Sequence, residues 1–236
     1  MAKAWAIIEP RVWPPPLLAD LPEEDVQRLF QVSRRRTFAR GEILWHEGDL
    51  ADAVHFIMAG RVAVTVMSRY GQQLTFSVMG QGECVGELAL LDSDRVRSAT
   101  VKALESTETR SVRRPDFEAA RRDFPGVNDV LVRILAARVA RLSNRLQEAL
   151  YVAVDTRVRR CVLEVAKLYG GAPGTVIPLT QDDLAGIAGT ARATVNRVLR
   201  QEELHGSLRL GRHRVTVIDP EGLARRAELE DTASPS

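Results

Sequence analysis

From about Phe38 to Val112 the chain is built of short runs rich in Val, Ile, Phe and Thr, such as Val54 to Met58 and Val62 to Met67. Glycines punctuate them at Gly41, Gly48, Gly60, Gly71, Gly80, Gly82 and Gly86. Runs of this length between glycine turns predict short antiparallel strands closing into a roll or sandwich. Ahead of them, Leu21-Pro22-Glu23-Glu24 opens a short amphipathic helix with Val26, Leu29 and Phe30 on one face, its acids in the first turn where the helix dipole favours them. The preceding Trp13-Pro14-Pro15-Pro16 predicts an extended arm.

After the strands the period changes. From Pro125 to about Val154, Val132, Leu135, Val139, Leu142, Leu146, Ala149 and Ala153 step by threes and fours, which is a heptad seam. A second row, Val130, Leu131 and Ile134, gives the same helix another apolar face. One face can pack on its own roll while the seam meets a second copy, so the pattern predicts the spine of a symmetric dimer. A further helix is expected from Asp155 to about Tyr169, with Val158, Val162, Val165 and Leu168 inward, ended by Gly170-Gly171-Ala172-Pro173-Gly174.

Thr180-Gln181-Asp182-Asp183 reads as an N-cap followed by acids, opening a short helix with Leu184, Ile187 and Ala188 as its buried face. Gly189 breaks it, and a second helix from Ala191 to about Leu204 buries Val195, Val198 and Leu199 while Arg192, Asn196, Arg197 and Arg200 lie on its surface. Two short helices joined by a glycine turn form a helix-turn-helix. The following alternation, Leu208, Leu210, Val215 and Val217 around Gly211-Arg212, predicts a β-hairpin wing.

Composition narrows the class. The chain has 236 residues, 45% hydrophobic and 27% charged, which suits two modest domains of globular protein. No stretch is apolar enough for a membrane helix and no signal peptide opens the chain, so a cytoplasmic location without membrane contact is expected. Cys84 and Cys161 are too few for a disulfide framework and are expected as buried thiols. A net charge of +2 says little, but between Asp155 and Ile218 ten basic residues stand against six acidic ones, a local basic face. Arginine on the second helix suits guanine O6 and N7, whereas arginines on the wing (Arg209, Arg212 and Arg214) suit phosphates.

Within the roll, Gly86-Glu87-Leu88-Ala89-Leu90 is followed, after Asp92, Ser93 and Asp94, by Arg97-Ser98-Ala99. Glycine lets the backbone approach a ligand, glutamate accepts from a ribose hydroxyl, and arginine with serine holds an anionic phosphate. With Gly48-Asp49 and Phe56-Ile57-Met58-Ala59-Gly60 upstream, this order resembles the phosphate-binding cassette of cyclic-nucleotide-binding domains. From Leu18 to Leu223 the whole chain resembles the CRP/FNR superfamily of bacterial transcription regulators.

The resemblance implies an α+β architecture: a cyclic-nucleotide-binding β-roll (an antiparallel jelly roll) over residues 1–124, a dimerisation helix over 125–154, a winged helix-turn-helix over 155–225 and a disordered tail over 226–236. It implies a ligand held by Gly86, Glu87, Leu88, Ala89, Arg97 and Ser98, with the base near Leu142 and Ser143. It further implies DNA contacts from Thr180, Gln181, Arg192, Ala193, Thr194, Asn196, Arg197 and Arg212. The ligand expected is cyclic AMP, then cyclic GMP, with no metal. The expected partners are pseudo-palindromic promoter DNA, a second copy of the chain, and RNA polymerase.

Two positions depart from the family pattern. Leu142-Ser143 stands where the cyclic AMP receptors carry a threonine followed by a polar residue. Ala193 replaces a glutamate that accepts from cytosine, so the target sequence differs. His46, His55, His205 and His213 with two separated cysteines give no haem or iron-sulfur pattern, and no residues remain for a catalytic domain. A second reading keeps DNA binding but works without a cyclic mononucleotide or with a cyclic dinucleotide.

Overall fold

The computed structural model describes residues 18, 21–67, 73–88, 96–124 and 126–229. Helix α1 (Glu23–Gln31) leads into strands β1 (Arg34–Phe38), β2 (Ile43–Trp45), β3 (Ala53–Ala59), β4 (Val62–Met67), β5 (Gln73–Met79), β6 (Cys84–Val85), β7 (Thr100–Ala103) and β8 (Thr107–Arg113). They form two antiparallel four-stranded sheets, β1-β8-β3-β6 and β2-β7-β4-β5. These face each other across a core of Trp45, Ile57, Val62, Met79, Val85 and Val101.

Strand β3 is buried on both faces because its side chains alternate. Ile57 enters the roll, while Val54, Phe56 and Met58 turn outward onto α1, onto α2 (Arg114–Asp123) and onto the start of the long helix α3 (Gly126–Tyr151). Val26, Leu29 and Phe30 are the buried residues of α1, as their spacing requires.

Helix α3 buries only Val127, Val130 and Leu131 against the roll, and its seam residues Val132, Val139, Leu142 and Leu146 are exposed on the chain. The seam is one position shorter than its sequence period suggests. Ala153 adopts an extended conformation (φ −54°, ψ 142°) and caps the next helix, α4 (Val154–Leu168), so the spine ends at Tyr151. Periodicity could not register that break, because the apolar step continues across it.

The C-terminal unit packs α4, α5 (Gln181–Ala188), α6 (Arg192–Leu204) and α7 (Pro220–Leu229) with a three-stranded sheet of order β10-β11-β9, formed by β9 (Thr175–Ile177), β10 (Leu208–Gly211) and β11 (Arg214–Val217). Residues 226–229, expected to begin a disordered tail, instead continue α7 because Ala227 is buried and Arg226 donates to Glu202; residues 230–236 lie outside the described residues. The wing turn is Arg212-His213, not Gly211-Arg212: Gly211 pairs with Arg214, and His213 takes the left-handed conformation (φ 55°). Strand β9 was not expected from the sequence, since three residues beside a glycine cluster give no period.

Ala63, Val78 and Leu104 of the roll join Val158, Val162, Leu184 and Leu199 in one core, so this unit is docked on its own roll. Arg61 clamps the junction: its guanidinium lies 3.8 Å from the Tyr169 ring centroid, donates to the Leu168 carbonyl and pairs with Glu105 at 2.5 Å. Both cysteines are buried free thiols.

Candidate functional site

In the roll a cavity of about 470 Å³ lies between the inner sheet and α3, lined by β5, by Gly82, Glu83, Leu88, Ser98 and Ala99, and by the α3 residues from Ile134 to Arg145. A narrow cleft at its end is lined by Trp45, Gly86, Leu88, Arg97, Ser98 and Arg138. Gly86 sits at φ 86°, and a Cβ there would fall 2.4 Å from Arg97 Nη1 and 3.3 Å from the Ala53 carbonyl oxygen, so only glycine leaves room for this backbone path.

Arg97 is 3% exposed, its guanidinium 4.0 Å from the Trp45 ring centroid, with Nη1 donating to the Gly86 carbonyl at 3.4 Å and Nη2 to Asp52 at 3.3 Å. Burial pulls its pKa below the ordinary arginine value, against the pull of Asp52. Its Nε has no hydrogen-bond partner. Glu87 is 1% exposed; Oε1 accepts from Arg138 of α3, and Oε2 is buried without a partner. Burial pushes the Glu87 carboxyl above its usual range, and Arg138 is the largest opposing influence.

Thus Gly86, Leu88, Arg97 and Ser98 converge on the cleft, whereas Glu87 lies behind its wall, held by Arg138. Leu142 lines the large cavity; Ser143 is exposed and does not line it. Ala89 lies outside the described residues, as do Asp92, Ser93 and Asp94.

Three basic cavity residues escaped the sequence reading. Arg138, Arg141 and Arg145 continue down α3 in steps of three and four from the apolar row that packs on the roll. Arg141 Nη1 reaches Ser77 Oγ at 3.5 Å, and Arg145 donates to the Thr75 carbonyl at 3.3 Å. Extending the row past Ile134 would have found them.

On the C-terminal unit, Thr180 and Asp183 form a reciprocal capping box: Thr180 Oγ1 accepts from the Asp183 amide at 3.1 Å and Asp183 Oδ2 from the Thr180 amide at 2.9 Å. Gly189 ends α5 in the left-handed conformation, turning the chain into α6. Gln181 Nε2 donates to Asn196 Oδ1 at 3.1 Å, and Arg192 pairs with Asp182 at 3.3 Å, both two-thirds exposed. Ala193 and Arg212 are exposed and Thr194 is half-buried.

Arg197 is exposed but occupied. Its Nη1 and Nη2 donate to the two carboxylate oxygens of Asp155 at 2.7 and 2.5 Å. Those bonds hold the Asp155 carboxyl below its ordinary pKa. The opposite end of α6 is anchored by Glu202, fully buried, which accepts from Arg159 Nε at 2.7 Å and Arg226 Nε at 2.9 Å. Among the described residues no group of three or more His, Cys, Asp or Glu is arranged to hold a metal, and no helix is long and apolar enough to cross a membrane.

Comparison with known proteins bears directly on this geometry. Residues 35–123 match the cyclic nucleotide-binding domain family and residues 137–226 the Crp-like helix-turn-helix domain family. The cyclic AMP receptor protein of Thermus thermophilus is 33% identical over 196 residues, spanning 83% of this chain and 89% of the relative. The chain belongs to the CRP/FNR family.

This CRP-family protein is therefore a cyclic-nucleotide-binding transcription regulator and not an enzyme. The CRP-like cAMP-activated global transcriptional regulator of Mycobacterium tuberculosis is likewise 33% identical, over 198 residues, spanning 80% of this chain and 86% of the relative. Among solved structures, the catabolite activator protein of Thermus thermophilus is 31% identical with a TM-score of 0.52, the match covering 90% of this chain and 98% of that one. The c-di-GMP responsive regulator CLP of Xanthomonas campestris, 18% identical, overlays with a TM-score of 0.73 over 84% of this chain and 99% of its own, a likeness of fold.

Proposed function

We propose that this regulator responds to cyclic AMP, with cyclic GMP as the second ligand, and that it binds pseudo-palindromic promoter DNA as a homodimer in the cytoplasm, acting on RNA polymerase. The observation that carries the ligand reading is Arg97, buried on the cleft wall with its Nε orphaned. An unsatisfied buried polar group costs about 1–3 kcal/mol, which a phosphate oxygen at Arg97 would offset, and a ribose hydroxyl at Glu87 requires that carboxylate to turn from behind the wall into the cleft. Ser98 adds a hydroxyl beside the phosphate, and Leu88 and Leu142 give the base apolar walls. Ser143, exposed beside the seam, would serve the neighbouring copy's cavity across the dimer axis.

On the DNA side Arg192 and Arg197 read bases, with Gln181, Thr194 and Asn196 beside them. Thr180 and Arg212 contact the backbone, and Ala193 adds no hydrogen bond. The exposed apolar seam on α3 supports the dimer, and two half-sites follow from its symmetry.

One observation favours a second ligand class: with Arg138 paired to Glu87 and Arg141 to Glu83 at 3.5 Å, Arg145 still adds a cation to the cavity wall beyond Arg97, which suits a second phosphate, as in a cyclic dinucleotide. Calorimetric titration of the wild type and of Arg97→Ala with cyclic AMP, cyclic GMP and cyclic di-GMP decides among them. Binding heat with cyclic AMP, weaker with cyclic GMP and lost in Arg97→Ala, is expected. A protein that binds DNA specifically yet gives no heat with either mononucleotide overturns the reading, and heat with the dinucleotide alone selects the second.

A further inference from the structure

The two arginines assigned to base reading differ in what already holds them. Arg192 makes one loose contact, 3.3 Å, with an Asp182 that is itself two-thirds exposed. Arg197 has both terminal nitrogens committed to the two oxygens of Asp155, whose side chain is only 23% exposed. Asp155 stands in the first turn of α4, where the helix dipole favours a negative charge, just beyond the break at Ala153.

A carboxylate offers two acceptors to the arginine fork in the same side-by-side arrangement as guanine O6 and N7. The two terminal nitrogens, used end-on as here, serve one of these partners at a time. A guanine contact that uses both terminal nitrogens of Arg197 end-on therefore begins with loss of the Asp155 pair.

We propose that Asp155 is a specificity-determining residue of DNA recognition: it competes with guanine for the fork of Arg197 and lowers the affinity of the regulator for its site. The proposal rests on the reading of Arg197 as a base contact. Removing the competitor should tighten specific binding. A partly exposed bidentate pair of this kind corresponds to about twofold to fivefold in affinity per half-site, compounded over the two half-sites of a dimer.

The test is a double-mutant cycle on the full-length protein, using a duplex selected from a randomised pool against the wild type and one buffer throughout. Asp155→Asn, and independently Asp155→Ser, which keeps a polar side chain in the first turn, should both bind the selected duplex about fourfold or more tighter. Arg197→Ala should bind it more weakly, and adding Asp155→Asn to Arg197→Ala should change nothing further. Urea unfolding midpoints identify any variant whose affinity changed through folding.

If Asp155→Asn and Asp155→Ser bind with wild-type affinity or more weakly, the carboxylate does not compete, and weaker binding would make it a support for Arg197 in the complex. A gain from Asp155→Asn that persists without Arg197 also overturns the proposal. If Arg197→Ala leaves specific binding intact, the base-reading role fails and the competition falls with it. A loss in Arg197→Ala with no gain in Asp155→Asn leaves the base reading standing and removes only the competitor.

Discussion

Replacing Arg138 with Met tests the link between the sensor and the long helix. The substitution keeps an apolar stem beside Met79 and removes the guanidinium that donates to Glu87. Taking one partner from a fully buried ion pair costs ~3–5 kcal/mol, because the remaining charge is left without compensation. Glu87 is 1% exposed but Arg138 is 26% exposed, so water screens part of the attraction and the expected loss is about 2 kcal/mol. For a chain of this size that corresponds to a fall of about 4–8 °C in melting temperature.

The loss should depend on pH. Burial already raises the Glu87 carboxyl above its usual range against Arg138, so removing the guanidinium raises it further. A carboxyl whose folded pKa lies above its unfolded value penalises the folded state fully at pH above the folded pKa, and the penalty disappears below the unfolded value. The deficit of Arg138→Met should therefore be largest at neutral pH and close as pH falls through the raised folded pKa of Glu87. Thermal unfolding of both proteins from about pH 8 down to about pH 4 measures it. A deficit of equal size at both ends, or none at neutral pH, would refute the coupling.

Glu202→Ala strands Arg159 and Arg226 around a fully buried position, and a loss of about 3–5 kcal/mol is expected from urea unfolding; less than about 1 kcal/mol would mean that the network contributes little. Val139→Glu combined with Leu146→Glu places charges at two exposed seam positions and should give monomers by sedimentation, whereas a persistent dimer would place the interface elsewhere.

The strands of the roll, the long helix, the capping box at Thr180 and the wing were legible in the sequence because each is a local property. Alternation, heptad spacing, an N-cap and a glycine stop act within a few residues. Two things needed the folded chain. Charge partners are chosen by proximity in space: Arg138 meets Glu87 from 51 residues away and Arg197 meets Asp155 from 42, so a surface that reads as basic in sequence is partly neutralised. Docking of one unit on the other is equally non-local, since Ala63, Val78 and Leu104 read as roll residues and only packing assigns them to the core of the C-terminal unit. The end of the spine shows the boundary between the two kinds of information. The apolar period runs on to Ala153, but the backbone turns extended there, and a hydrophobic period records which face a residue would occupy without fixing where the helix stops.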